Sequence, residues 1–86
     1  MHLTLLTRTS CHLCDEMERE LRPLIGTTPL VVLDIDDPEH APLQGRYGRA
    51  VPVLFAGPRA PGRELCRYRL DAANVAAVLA EAREIR

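Results

Sequence analysis

Two cysteines that are separated by two residues, Cys11 and Cys14, lie between a short apolar run and the start of a helical pattern. Thiols at this spacing in the first turn of a helix can close a small disulfide ring. The unpaired backbone N–H groups at a helix N-terminus favour an anion, and we expect them to lower the pKa of the Cys11 thiol into the range of reactive cysteines. Cys14 would lie one turn deeper, where it attacks only a mixed disulfide that has already formed on Cys11. The motif thus predicts a nucleophilic thiol followed by a resolving thiol.

Two other interpretations of the cysteine pair stay open. Two cysteines three positions apart on a helix can be small apolar residues that face a core. A soft metal ion such as zinc is the second alternative, with Cys11, Cys14, Cys66 and a histidine as ligands, because zinc sites usually take four ligands. A C-x-x-C beside a βαβ pattern is typical of a redox motif, so we expect redox chemistry with neither a bound metal nor a cofactor. Cys66 is then a packing residue, and His12 is an exposed residue near the motif.

The composition is that of one small globular domain. The chain has 86 residues, of which 47% are hydrophobic and 27% are charged, and this length suits a single domain, residues 1–86, with a thin core. The formal net charge is −1, and the basic residues, all of them arginines, are scattered along the chain. Because there is no basic block, nucleic acid is not an expected partner.

The sequence indicates a protein of the cytoplasm. The apolar run Leu3 to Leu6 is too short for a signal-peptide core and has no basic segment before it, and no run is long enough to cross a membrane. The 3 cysteines are an odd number, whereas a secreted disulfide framework would normally pair evenly. Thiols are kept reduced in the cytoplasm, where a C-x-x-C is more often catalytic or metal-binding than structural.

The first half of the chain is interpreted as a βαβ unit. Residues 2–7 predict a strand, and the helix after it has Ser10 as its N-cap and Pro23 and Gly26 at its end. The apolar face of this helix has four members at spacings of four and three: Leu13, Met17, Leu21 and Leu24. Residues 30–35 are a near-continuous apolar run, which predicts a strand covered on both faces in a parallel sheet, with a right-handed crossover.

The second half predicts a short helix, a hairpin and a last helix. Three aspartates, Asp34, Asp36 and Asp37, precede a helix at residues 38–46. Residues 50–55 form the third strand, with Pro52 at its start because proline cannot donate to the ladder. Turn residues then lead into an antiparallel fourth strand at residues 63–68. Asp71 caps the last helix, and the order is βαβαββα. The apolar stripe of the last helix consists of Val75, Val78, Leu79, Ala82 and Ile85.

In motif and element order the chain resembles the glutaredoxins, and most closely their small bacterial glutaredoxin-like relatives. The resemblance covers nearly the whole length and implies an α/β thioredoxin fold, with a four-stranded mixed sheet flanked by helices. It rests on four stretches: Cys11-His12-Leu13-Cys14 after the first strand, Tyr47-Gly48 followed by Val51-Pro52-Val53-Leu54, Gly62-Arg63-Glu64-Leu65 in the hairpin, and Leu70-Asp71 before the last helix.

The resemblance also implies roles for particular residues. In the family, the proline that corresponds to Pro52 follows a cis peptide bond and faces the dithiol, and the residue before it, here Val51, offers its backbone to a bound thiol peptide. Basic residues at the positions of Arg8 and Arg49 can receive the carboxylates of glutathione. Solvent-facing arginines that contribute little are the alternative.

The chain departs from the family at two positions. Tyr68-Arg69 occupies the place of the Gly-Gly that admits the γ-glutamyl end of glutathione, and His12-Leu13 replaces the Pro-Tyr that is common in dithiol glutaredoxins. The bulk of Tyr68-Arg69 predicts weak use of glutathione.

These observations predict a thiol-disulfide oxidoreductase, or electron carrier, that reduces protein or glutathione-mixed disulfides through Cys11 and Cys14. We expect a monomer whose partners are protein disulfide substrates and a thiol reductant, with no membrane partner. The alternative is a module that binds a soft metal through the same two cysteines.

Overall fold

The computed structural model describes residues 1–84, with Glu84 included only as the last helical residue. The elements follow the predicted order βαβαββα, and the short helix is preceded by a 3-10 turn at Pro38–His40. Their bounds are β1 Leu3–Thr7, α1 His12–Ile25, β2 Leu30–Asp34, α2 Ala41–Tyr47, β3 Val53–Ala56, β4 Arg63–Arg67 and α3 Ala72–Glu84. Among the described residues, no helix is both long enough and apolar enough to cross a membrane.

The four strands form one mixed sheet in the order β2-β1-β3-β4. β1 pairs in parallel with β2 and antiparallel with β3, and β3 pairs antiparallel with β4. The register places Thr7 opposite Asp34, Leu6 opposite Val53, and Val53 opposite Arg67. The carboxyl ends of β1, β2 and β4 therefore meet the amino end of β3 at one edge of the sheet. We call this edge, where the loop from β1 to α1 begins, the site edge.

Helices cover both faces of the sheet, and each face has its own buried cluster. On one face, side chains of α1 and α3 pack against Leu3, Leu5 and Leu54. On the other face, residues of and around α2 pack against Leu6, Val53 and Phe55. Strand side chains alternate between the two faces, so Leu3 and Leu5 of β1 belong to one cluster and Leu6 belongs to the other.

Strand β2 differs from the prediction, because it is an outer strand and is only partly covered, although Leu30 packs against one cluster and Leu33 against the other. The side chain of Val32 is 41% exposed, and none of the residues of β2 is fully buried. The antiparallel hairpin adds to the other side of β1, so β1 and β3 are the inner strands of the sheet. Apolar character alone did not distinguish a central parallel strand from an edge strand.

The buried face of α1 is also rotated from the predicted one. Leu13 and Leu24 are 37% and 36% exposed, whereas the face that packs on the sheet consists of Cys14, Met17, Leu21 and Ile25. Pro23 lies inside the last turn of the helix and does not end it. The helix ends at Gly26, whose φ of 58° suits glycine.

The other boundaries agree with the prediction within one to three residues. β3 begins directly after Pro52, and β4 ends before Tyr68, whose φ of 68° lies outside the strand region. Asp71 caps α3 as expected, since its Oδ1 accepts the backbone N–H of Asn74 at 3.0 Å. Of the predicted apolar stripe on α3, Ile85 lies outside the described residues.

Candidate active site

The site begins where β1 leads into α1, and Cys11 itself is the N-cap of that helix. Its Sγ accepts the backbone N–H of Cys14 at 3.2 Å, and its carbonyl accepts the N–H of Asp15 at 3.1 Å. The predicted cap, Ser10, is wrong by one residue, because Ser10 has a φ of 60° and turns the chain into the helix. The sulfur thus lies where unpaired helix N–H groups point, which is the environment that stabilises a thiolate.

Cys11 and Cys14 are joined as a disulfide. Their Cα atoms are 5.2 Å apart, within the usual disulfide range of about 4.4–6.8 Å. Cys14 is 2% exposed and belongs to the buried face of α1, whereas Cys11 is half-buried. A partner approaching from solvent therefore meets Cys11 first, which is the arrangement required of a nucleophile with a shielded resolving thiol.

Val51 and Pro52 lie beside this disulfide loop at the site edge. Because Val53 pairs with Leu6, Pro52 is next to the end of β1 in the register of the sheet. The Val51–Pro52 peptide bond is cis, as the resemblance implies. Pro52 is buried and Val51 is half-buried, so Val51 is the more accessible residue of the two.

Arg8 connects three segments of the site edge. Its guanidinium donates to both carboxylate oxygens of Asp36, at 2.9 and 3.2 Å, and to the carbonyl of Gly48 at 2.8 Å. The hydrogen bond with Asp36 raises the pKa of Arg8 above its ordinary value. Three of the five guanidinium N–H donors are thus used within the protein. The binding of a ligand carboxylate by Arg8 stays a prediction, and it depends on the two remaining donors.

Arg49 has a different setting from Arg8, because its side chain is exposed and forms no ion pair with another described residue. It lies two residues before Val51, and its carbonyl accepts a hydrogen bond from the Tyr68 hydroxyl at 3.3 Å. The disulfide and the Val51–Pro52 segment therefore both lie at the site edge. Arg49 precedes that segment in the chain, and the Arg8 side chain is directed toward Asp36. The functional roles of all six residues stay predictions.

Tyr68 is the site residue whose position the sequence did not reveal. Its N–H donates to the carbonyl of Pro52 at 2.9 Å, and its hydroxyl reaches the carbonyl of Arg49. The ring is nevertheless 45% exposed. From the sequence alone, Tyr68 was identified only as a bulky side chain at a position where glutaredoxins have a glycine. Its contacts with the segment before β3 depend on a turn in which residue 68 has a positive φ. A tyrosine in the sequence does not predict such a turn.

Cys66 is separate from this site. It lies on β4 opposite Leu54 and packs against the cluster formed by α1 and α3, so the prediction of a packing residue is confirmed. Burial raises the pKa of the Cys66 thiol above its ordinary value. Within residues 1–84, no three histidine, cysteine, aspartate or glutamate side chains are grouped so that they could hold a metal ion.

Replacement of Ser10 by glycine is expected to stabilise the protein by about 0.5–1 kcal/mol. Serine at φ 60° carries the steric cost of the left-handed region, about 1–2 kcal/mol, which glycine avoids. Part of the gain is offset by the greater entropy of glycine in the unfolded chain. Urea unfolding of the oxidised protein measures the difference. Ser10→Ala is the matched control, and an equal gain in that variant would contradict the explanation.

Comparison with known proteins gives one family and several similar structures. Residues 2–80 match the family model described as Glutaredoxin-like domain (DUF836). The structural genomics target protein XcR50 from X. campestris, solved by X-ray diffraction, is 35% identical, with 92% of this chain and 96% of that chain covered and a TM-score of 0.66. Protein Ne2328 from Nitrosomonas europaea, solved by NMR, is 40% identical, with coverage of 90% and 88% and a TM-score of 0.71.

A more distant structure shows the fold alone. Thioredoxin 1 from the thermophilic eubacterium Thermosipho africanus is 17% identical, with 99% of this chain and 97% of that chain covered and a TM-score of 0.65. A search of curated proteins found no significant match.

Proposed function

Because this chain belongs to the glutaredoxin-like family, we propose that it is a thiol-disulfide oxidoreductase that reduces protein or glutathione-mixed disulfides. Its thioredoxin fold agrees with the prediction from sequence, and the family and the cysteine pair together support a redox role. The observation that carries the proposal is the Cys11–Cys14 disulfide at the start of α1, with Cys14 buried and Cys11 accessible.

The reaction consists of two exchanges. The Cys11 thiolate attacks one sulfur of the substrate disulfide, forms a mixed disulfide with it, and releases the other substrate sulfur as a thiolate that takes a proton from solvent. The Cys14 thiolate then attacks the Cys11 sulfur, closes the Cys11–Cys14 disulfide, and releases the second substrate thiol. Two electrons pass from the dithiol to the substrate. Two equivalents of a thiol, or one dithiol, return them and are themselves oxidised to a disulfide.

The helix start supports the first of these exchanges. The N–H of Cys14 is directed at the Cys11 sulfur at 3.2 Å, and a hydrogen bond of this kind favours the charged form of an acceptor. We therefore expect a thiolate at Cys11 near neutral pH. The thiol of Cys14 belongs to the buried face of α1, where burial disfavours the charged form.

The Val51–Pro52 segment is proposed to bind the substrate. The accessible backbone of Val51 would pair with the chain on either side of the substrate cysteine, and Arg49 would receive a carboxylate. Arg8, held by Asp36 and Gly48, can add only its two free donors. Because Tyr68-Arg69 occupies the place of two glycines, we propose that a protein thiol, or a small thiol other than glutathione, is the better reductant. The cytoplasm, where such donors keep thiols reduced, is the proposed location.

Alkylation of the reduced protein tests the two thiol roles. With limiting iodoacetamide at neutral pH, we expect Cys11 to react first, because the thiolate is the reacting form. Cys66 should also react more slowly than Cys11 and become faster in urea, since its raised pKa comes first from burial. Raising the pH toward the ordinary pKa of a thiol should narrow the differences between the three cysteines. Peptide mapping by mass spectrometry identifies each site, and faster alkylation of Cys14 than of Cys11 would contradict the assignment.

A further inference from the structure

Charge is distributed unevenly along the site edge. At the β2 end, the aspartates Asp34, Asp36 and Asp37 are partnered within the protein. Arg8 pairs with Asp36, and the other two carboxylates accept backbone N–H groups of their own turns at 2.9 Å. The strand order places the cysteine motif between this end and the end of β4. At this end, each of the three aspartates therefore already accepts a hydrogen bond within the protein.

Arginines dominate the opposite end of the site edge. We call Arg46, Arg49, Arg67 and Arg69 the arginine patch. Only Arg67 has an acidic partner among the described residues, Glu64, whose carboxylate it contacts at 2.6 and 2.7 Å. The other three are exposed and form no ion pair with a residue in the described range 1–84. Of these four fixed positive charges, only one is ion-paired with a described carboxylate, in a protein whose formal net charge is −1.

Separate contacts place these arginines near Tyr68, Glu64 and the amino end of β3. Arg67 belongs to β4 and pairs with Val53. Arg49 and Arg69 both adjoin Tyr68. The carbonyl of Arg49 accepts a hydrogen bond from the Tyr68 hydroxyl at 3.3 Å, and Arg69 follows Tyr68 in the turn. Arg46 stacks on the ring of Tyr47, with its guanidinium carbon 5.0 Å from the ring centroid. The pKa of Glu64 is lowered first by its hydrogen bonds with Arg67, and the positive charge of Arg46 lowers it further. Arg46 therefore faces the same end of the sheet.

Tyr68 lies at the centre of this surface. Its backbone is bound to Pro52, while its ring is 45% exposed at φ 68°. A bulky residue held in the left-handed region, where glycine would be unstrained, points to a role outside folding. Exposed tyrosines and arginines are also the residue types enriched where proteins bind one another.

We infer that the arginine patch and the Tyr68 ring dock an acidic segment of a protein partner, next to the partner cysteine that exchanges with Cys11. This inference rests on the proposed function, since the docked segment belongs to the protein disulfide that is reduced. Arginine forks bind carboxylates in a bidentate manner, and the arginines of the site edge that have no acidic partner among the described residues all belong to the arginine patch. The partner therefore carries its acidic residues on the side of its cysteine that faces β4.

Single-turnover reduction of matched peptides tests the inference. The probes are disulfide-linked dimers of a short peptide with blocked termini, in which the cysteine is flanked either by glutamates or by glutamines. The fully reduced protein is mixed with each dimer, and the released peptide thiol is measured by chromatography. At low ionic strength we expect the glutamate dimer to react about tenfold faster, at the lower end of the range for electrostatic steering. The advantage should largely disappear near 1 M salt, where the screening length is about 3 Å.

Arginine variants connect the effect to the patch. In the double variant Arg49→Gln, Arg69→Gln the ratio of the two rates is expected to fall close to one. In the charge reversal Arg49→Glu, Arg69→Glu the glutamine dimer should become the faster substrate. Arg19→Gln and Arg59→Gln remove exposed arginines from α1 and from the hairpin loop, away from the patch. These controls should retain the wild-type ratio.

The outcomes separate this inference from the proposed function. If the wild-type protein reduces neither dimer, the proposed function fails. If it reduces both at equal rates at low ionic strength, the proposed function stands and the acidic docking surface is overturned. A glutamate preference that survives in both patch variants but disappears in the Arg19 or Arg59 variant would also overturn the assignment. The salt dependence of the wild-type protein keeps the test decisive even if a patch variant does not fold.

Discussion

Replacement of Cys11 by serine is expected to abolish disulfide reduction, whereas replacement of Cys14 by serine should trap the protein as a mixed disulfide with its substrate. A serine hydroxyl is not ionised near neutral pH and cannot replace the thiolate, so the Cys11→Ser rate should fall by more than about a thousandfold. In Cys14→Ser the first exchange proceeds, but the resolving thiol is missing. Intact-mass measurement should then show one substrate peptide attached through Cys11.

The third cysteine provides the matched control for both variants. Cys66 packs against the cluster between the sheet and the α1 and α3 helices, so Cys66→Ala should leave the rate of disulfide reduction essentially intact. Retention of activity in Cys11→Ser would show that a different thiol is the nucleophile. An adduct on Cys66 in the Cys14→Ser protein would show that the substrate does not bind at the site edge.

Replacement of Tyr68 and Arg69 by glycine is expected to raise glutathione-dependent turnover by about tenfold to a hundredfold. By the resemblance to glutaredoxins, the two side chains are expected to obstruct the place of a Gly-Gly pair, and loss of part of a charge-assisted contact set costs about 1.5–3 kcal/mol, which corresponds to this range in affinity. Glycine also fits the φ of 68° at position 68 without strain. Coupled turnover with glutathione and glutathione reductase on a small mixed disulfide measures the change.

A variant that keeps the bulk separates steric from chemical causes. Tyr68→Phe with Arg69→Lys should turn over as slowly with glutathione as the wild-type protein. If the wild-type rate already matches that of ordinary dithiol glutaredoxins, the two missing glycines do not matter. If the glycine variant shows no gain over a low wild-type rate, the cause lies instead at His12-Leu13. The same glycine variant should lose much of its preference for the glutamate-flanked peptide, because it lacks Tyr68 and one arginine of the patch.

The sequence alone determined the order of the elements and the place of the reactive thiols. These depend on short-range features. One is the spacing of Cys11 and Cys14, and another is the side-chain oxygen of Asp71, which caps the first turn of α3. A third is that Pro52 lacks an N–H, so it lies just before β3 and not inside it. Each such feature acts within a few residues of the chain. For this reason the pattern of apolar and capping residues was sufficient to predict them.

Only the tertiary structure decided which strand is central, which face of α1 is buried, and what the polar residues of the site edge contact. Arg8 contacts Asp36, which is 28 residues away in the sequence, and Tyr68 contacts Arg49, which is 19 residues away. Such contacts depend on strand order and register, which local patterns do not specify when two strands are similarly apolar. The central place of β1 is one consequence. The position of four arginines around Tyr68 and the end of β4 is another, and in the sequence those arginines are only scattered charges.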